Sequence, residues 1–333
     1  MRGFPIDRCV YRDYPADFEG DVFICDIDRT YLATRISSLS GMARVPFEFA
    51  VDKRAIDGMT ALLKEVRRGP GHHSRSTPLY FVSASPAQLR SVIERKMMID
   101  GLEFDGSTFK DWFGVVKGMR LARFREQIGF KLTALLSLRA ELPPRVRETL
   151  IGDDLESDPV IFALYADILS GRLCGDALLA TLRRHGVSDD DAAAIVELKS
   201  RVPDIEGVRR AYIRLERHPD GEALRQLAPF VVPCRSALQM AASLWTHGYI
   251  NADGVINVGR ELIKRRYSRD ELTEHLSDAA RRGLIAGDGA RELQQLLVHA
   301  AMVRDEPLPA VDPAWAMQLA KQTTFWTPAE QRG

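Results

Sequence analysis

The sequence predicts an α/β fold: a Rossmann-like parallel sheet with helices on both faces, followed by a helix-rich C-terminal part. Three observations predict it. Three short apolar runs, 21–25, 79–82 and 149–151, each stop abruptly in polar or acidic residues, as buried parallel strands do. The segments between them carry apolar residues at helical spacing, and strands alternating with helices imply a parallel sheet. Beyond about residue 167 helical patterns dominate.

The elements follow in order. Residues 1–19 are mixed and polar, with Pro5 and Pro15, and read as an extension leading into the fold. The first strand is Asp21-Val22-Phe23-Ile24-Cys25. A helix over 54–67 places Ile56, Met59, Leu62, Leu63 and Val66 on one face. The stretch 69–77, including His72 and His73, reads as a polar loop. The second strand, Leu79-Tyr80-Phe81-Val82, ends at Ser83, and Pro86 marks the start of a helix over 86–98. A helix over 131–142 carries Leu132, Leu135, Leu136 and Leu138, and the third strand, Thr149-Leu150-Ile151, ends at Gly152-Asp153-Asp154. Residues 20–167 thus form the expected core. Residues 168–207 read as a helical insertion or linker, with Ser188 capping a helix. Residues 208–250 are expected to return a strand (208–215) and a helix (233–245) to the core, and 251–333 to form a helical region and tail with one long helix over 268–297.

Composition narrows the function. The chain has 333 residues, 45% hydrophobic and 28% charged, which suits a globular protein with a full core. Forty-six basic and forty-six acidic residues cancel, so there is no strong nucleic-acid signal of the kind a phosphate backbone selects. No apolar run of about 18 residues occurs, so no transmembrane segment is expected, and the first eight residues carry no apolar export segment. Cys9, Cys25, Cys174 and Cys234 lie far apart and read as reduced thiols of a cytoplasmic protein. Arg209-Arg210 and Lys264-Arg265-Arg266 read as solvated helix faces, and Trp245, Trp315 and Trp326 as packing residues.

In such sheets ligands sit outside the carboxyl ends of the strands, and the chemistry-bearing residues fall there. Asp26-Ile27-Asp28-Arg29-Thr30 follows the first strand. Two carboxylates two residues apart can divide labour: one attacks an electrophile, the other protonates a leaving group and then activates water. Ser83 at the next strand end can hydrogen-bond a phosphoryl oxygen. Ile151-Gly152-Asp153-Asp154-Leu155-Glu156-Ser157-Asp158-Pro159 ends the third strand in acids that repel one another unless a cation sits among them, and oxygen-rich, sulfur-free surroundings suit magnesium. Asp158 can alternatively cap the helix beginning near Pro159. Lys131 can neutralise a transferring phosphoryl group; taken alone it reads as a surface lysine.

Together these pieces resemble the haloacid dehalogenase-like superfamily of phosphotransferases. The resemblance is closest to the catalytic domain of actin-patch-associated phosphatidate phosphatases and their bacterial relatives. It rests on Asp26-Ile27-Asp28-Arg29-Thr30, Phe81-Val82-Ser83-Ala84-Ser85-Pro86, Phe104-Asp105-Gly106-Ser107-Thr108-Phe109-Lys110-Asp111 and the stretch from Gly152 to Phe162. It implies a magnesium-dependent phosphatase. Asp26 would be the nucleophile that forms an aspartyl-phosphate, and a magnesium ligand. Asp28 would be general acid and then base, and would give magnesium its backbone carbonyl. Thr30, Ser83 and Ala84 would hold the turn and the phosphoryl group. Lys131 would offset charge, with Lys117 a rival by spacing. Asp153 would bind magnesium, with Asp158 supporting and Asp154 an alternative ligand.

The sequence departs from that pattern at Arg29, where close relatives carry an acid, at Asp154, where a serine is common, and at Lys110, which replaces an arginine. The expected substrate is a small or lipid phosphate monoester, phosphatidate by the family's suggestion. The alternatives are a nucleic-acid end phosphatase and a non-catalytic binding or regulatory protein that keeps the fold.

Overall fold

The computed structural model describes residues 6–33, 53–111, 123–285 and 287–321, with the side chains of 123–126 excepted. Lys117 and Trp326 lie outside the described residues. The strands β1 (Ile6–Val10), β2 (Asp21–Asp26), β3 (Leu79–Pro86), β4 (Gly106–Lys110), β5 (Arg147–Asp153), β6 (Val208–Arg214) and β7 (Val231–Cys234) form one sheet in the order β1-β4-β3-β2-β5-β6-β7. All neighbours pair parallel except β1, which lies antiparallel on β4 at the edge.

From β2 the chain steps outward one way through β3 and β4. It then returns to the other side of β2 and steps outward through β5, β6 and β7. The reversal lies between β2 and β5, so their carboxyl ends open a crevice where a ligand can sit. Cys25 pairs with Ile151 there, which brings Asp26 and Asp153 to the same end of adjacent strands.

Eleven helices complete the described chain. Residues Met59–Arg68 form α1, Arg90–Ile99 α2, Arg123–Glu141 α3, Asp158–Leu169 α4, Gly175–Arg184 α5 and Asp189–Ser200 α6. Then come α7 (Ala237–Thr246), α8 (Ala252–Lys264), α9 (Arg269–Arg281), α10 (Gly287–His299) and α11 (Pro313–Leu319). Alternation along β2 sends Phe23 and Cys25 to one face, under α1, α2 and α7 to α10. Val22 and Ile24 face the other side, under α3 to α6. Each layer has its own apolar cluster, which is why β2 is buried on both faces.

Several sequence expectations are corrected. The N-terminal extension contributes β1, because its backbone groups complete the edge of β4. The helix expected over 131–142 begins at Arg123, so Lys131 sits in mid-helix. The polar residues of its first turns hid that start. The helix expected over 54–67 begins at Met59, and that expected over 86–98 begins as a short 3-10 turn, Ala87–Leu89. Pro233 is in a strand, and the helix starts after Ser236, whose hydroxyl accepts from the Gln239 N–H at 3.4 Å. The expected long helix over 268–297 is two helices, Arg269–Arg281 and Gly287–His299. Val208–Arg214 does return to the sheet, and Ser188 does cap α6 by accepting from the Asp191 N–H. All four cysteines are free.

Candidate active site

Asp26 is the last residue of β2, and its side chain turns to the face of Ile24. Ile24, Val82, Leu135 and Phe162 wall in the Asp26 and Lys131 side chains around a gap of about 10 Å³. The low-dielectric back wall makes unbalanced charge costly there. Asp26 Oδ1 faces Lys131 Nζ at 2.7 Å, and Oδ2 is buried with no hydrogen-bond partner among the described residues. Burial pushes the Asp26 carboxyl up from the ordinary range; Lys131 opposes this, and Asp158, Glu156 and Asp153 add to it.

Lys131 reaches this point from the middle of α3, where Phe130, Leu132, Leu135 and Leu136 pack on every side. Its ammonium also lies 2.5 Å from Asp158 Oδ1 and 3.2 Å from Glu156 Oε2. Burial alone would lower its pKa, but Asp158, Asp26 and Glu156 outweigh burial and hold it charged.

Asp158 opens α4, next to Pro159 at the first turn. It does not cap the helix with its side chain. Its Oδ2 accepts from the Asp153 N–H at 3.3 Å while Oδ1 takes Lys131. Gly152 permits this approach: a Cβ there would lie 2.8 Å from both the Asp158 Cβ and the Phe162 ring. Asp153 Oδ1 accepts from the Leu155 and Glu156 N–H groups at 2.7 and 3.1 Å, and Oδ2 accepts from Thr30 Oγ1 at 3.4 Å. Burial, then the charge of Asp158, push the Asp153 carboxyl up to about 7.

Carboxylate oxygens of Asp26, Asp153 and Asp158 all lie within 4.8 Å of one another. With Glu156 four acids crowd this corner, and three of them, Asp26, Glu156 and Asp158, pair with the one ammonium. A hard dication fits the residues present: the donors are all carboxylate oxygen, the local charge is in negative excess, and Asp26 Oδ2 is buried without a partner.

The other sequence-derived residues are placed as follows. Asp28 points toward β3, where its Oδ2 accepts from Ser83 Oγ and Ser85 Oγ, both at 2.7 Å. Thr30 is fully buried and ties the loop after β2 to Asp153. Ala84 lies between the two serines, packed against the apolar cluster of the α3 face. Asp154 stands apart from the three clustered acids. Its Oδ1 accepts from the Glu216 and Arg217 N–H groups at 2.6 and 2.8 Å, and its Oδ2 from the His218 N–H at 2.7 Å. Arg29 pairs with Glu216 at 3.3 Å, and Arg214 Nε donates to the Arg29 carbonyl at 2.7 Å. Sequence reasoning gave no role to Glu156, Ser85, Arg214 or Glu216. The first two lie inside the quoted motifs, and their hydroxyl and acid chemistry was the available signal. The last two lie beyond them and carry none.

Residues 22–173 match the family model described as Phosphatidate phosphatase APP1, catalytic domain. The matched stretch contains Asp26, Asp28, Ser83, Lys131, Asp153 and Asp158, so this part of the chain is similar to a phosphatase catalytic domain. No curated protein and no solved structure matches the chain.

Proposed function

We propose that the chain is a magnesium-dependent phosphohydrolase of the haloacid dehalogenase type, cleaving phosphate monoesters through an aspartyl-phosphate, with phosphatidate-like lipids as the substrate class the family match favours. The observation that carries this reading is the Asp26 carboxylate. It is buried at the end of the central strand, has one oxygen without a hydrogen-bond partner among the described residues, and stands beside a charged lysine and two further acids.

Asp26 and Asp153 would hold magnesium, with Asp158 the third carboxylate in reach and the Asp28 backbone carbonyl completing the set expected from the sequence. When bound, magnesium supplies the positive charge that offsets the repulsion between an anionic nucleophile and an anionic phosphate. Asp26 attacks phosphorus, the ester P–O bond breaks, and Asp28 gives its proton to the departing alkoxide oxygen. Asp28, now a carboxylate, takes a proton from water, whose oxygen attacks phosphorus. The bond from phosphorus to Asp26 then breaks, leaving inorganic phosphate and free Asp26. Lys131 balances charge on Asp26 and the phosphoryl oxygens throughout.

A lipid substrate would be met without a membrane span from the described chain, since no described helix is long and apolar enough to cross a bilayer. The nucleic-acid reading draws less support. The rim cations Arg29 and Arg214 are both engaged with Glu216 rather than arrayed for a phosphate backbone.

The test is phosphate release from 4-nitrophenyl phosphate and from phosphatidate vesicles, with and without magnesium, for the natural chain and Asp26→Asn. Turnover that needs both magnesium and Asp26 is expected. Absence of such turnover on these substrates, with the protein folded, would favour a non-catalytic binding protein.

A further inference from the structure

The end of β3 reads Ser83-Ala84-Ser85-Pro86, and the pairing of β3 with β4 is irregular there. Ser83 pairs with Phe109 and Pro86 with Lys110, so three steps on one strand match a single step on the other. Such a bulge re-aims side chains. Here both serine hydroxyls converge on one oxygen of Asp28, each at 2.7 Å, while the Ser85 N–H donates to Ser83 Oγ at 3.0 Å. Ser83 is fully buried and Ser85 nearly so.

A serine hydroxyl has one proton. Ser83 therefore cannot donate to Asp28 and to a phosphoryl oxygen at the same time. When Ser83 turns to a substrate, the Ser85 hydroxyl still donates to Asp28 Oδ2. We infer that Ser85 is a positioning residue for Asp28: it holds the acid–base carboxyl aimed at the leaving-group oxygen while Ser83 attends the phosphoryl group. This rests on the reading of Asp28 as general acid and base. Ser85 touches no reacting atom and acts through Asp28 alone. The irregular register lies where two serines of one strand converge on the same Asp28 oxygen, so one can stay there when the other turns to the phosphoryl group.

Proton donation matters most when the leaving group is a poor one, so the readout is the dependence of kcat/KM on leaving group. The full chain is assayed with magnesium on aryl phosphates of graded leaving-group pKa, from 4-nitrophenyl to phenyl, and on a simple alkyl phosphate. Ser85→Ala is expected to lose at most about 3-fold on 4-nitrophenyl phosphate but about 30-fold on the alkyl ester, a part of the roughly 100- to 10,000-fold that general acid catalysis supplies. Ser85→Thr, which keeps the hydroxyl, should recover most of that loss. The double variant Ser85→Ala/Asp28→Asn should be no worse than Asp28→Asn, because both changes remove one function.

An equal loss across all leaving groups, or none, in a variant that melts with the natural chain would overturn the inference and leave the Asp26 chemistry standing. If Asp26→Asn keeps full activity, or the natural chain hydrolyses none of these esters, the phosphatase reading itself fails and takes this role for Ser85 with it.

Discussion

Lys131 Nζ lies 2.7 Å from Asp26 Oδ1, with both side chains almost wholly withdrawn from solvent. The same ammonium serves Asp158 and Glu156, so one cation holds three acids together. Lys131→Met removes it without changing the length of the side chain much. Turnover should fall about 1,000-fold, as expected for losing a preorganised charge at the reacting group. In chelator, where nothing else balances the acids, folding stability should drop by about 3 kcal/mol, the scale for breaking a buried ion pair from one side. Lys131→Arg should not restore turnover, because a planar fork does not fit a slot shaped for a point charge. Steady-state kinetics and urea unfolding with chelator check this. Turnover within tenfold of the natural chain would remove Lys131 from the chemistry.

The crowding of Asp26, Asp153 and Asp158 sets a pH signature. Asp153 is raised to about 7 by burial and by Asp158, against an ordinary value of 3.8. Between those values the folded chain keeps a proton that the unfolded chain releases. Stability without a cation should therefore fall as pH rises through that window. Asp26, also raised, acts in the same direction. Magnesium replaces the proton, so the gain in Tm on adding it should be larger at pH 8 than at pH 5. Asp153→Asn should flatten the slope in chelator and remove most of the magnesium gain. Thermal melts at the two pH values, with and without magnesium, read all four quantities. A magnesium gain that is equal at both pH values would break the linkage.

Asp154 separates a ligand from a scaffold. Its carboxylate accepts from three backbone N–H groups of 216–218. That turn carries Glu216, which holds Arg29 and Arg214. Arg29 sits at a φ of +65°, a conformation that costs a non-glycine residue, and Arg214 pins its carbonyl. Asp154 thus steadies the loop that presents Asp28 and Thr30. Asp154→Asn is expected to lower kcat about tenfold through lost orientation. The magnesium concentration for half activity should stay within about twofold, whereas loss of a direct ligand should shift it by tenfold or more. Titration of activity with magnesium separates the two roles.

Much of this site was legible in the sequence because its residues sit where apolar runs stop. Asp26, Ser83 and Asp153 were found by that rule, and the strand order places the first and last on either side of the reversal point. Lys131 was legible by spacing alone. Its burial was not, because the polar start of α3 hid a helix surrounded on all sides. Asp154 looked interchangeable with its neighbours, since adjacent residues on a strand end differ in direction, which the sequence does not display. Ser85 and its bulge were not legible at all: an irregular register depends on what β4 offers opposite. Strand β7 was missed, and its second half, Pro233 and Cys234, was taken into an expected helix, because four residues with a proline carry too little periodicity to be read.

The helical half offered no motif, yet one charged residue in it is buried as deeply as any in the site. Arg282 is fully enclosed at the end of α9. It bonds Asp278 Oδ2 through Nε at 2.9 Å, the Pro233 carbonyl of β7 through Nη1 at 2.6 Å and Gln239 Oε1 of α7 through Nη2 at 2.9 Å, and it faces the Trp315 ring of α11 at 5.9 Å. One side chain therefore ties α9, α7, α11 and the sheet edge together. Arg282→Met leaves a carboxylate, a carbonyl and an amide oxygen without that donor, and should cost about 3–5 kcal/mol in stability. Removing the paired acid as well, as in Arg282→Met/Asp278→Leu, should recover a good part of it, because apolar replacements of a buried pair pack without a desolvation cost. Neither change touches Asp26 or its neighbours, so kcat of the folded fraction should stay within about twofold. Urea unfolding beside an activity assay at low temperature checks both statements. Equal stability of Arg282→Met and the natural chain would mean that apolar packing alone seats the helical half on the sheet.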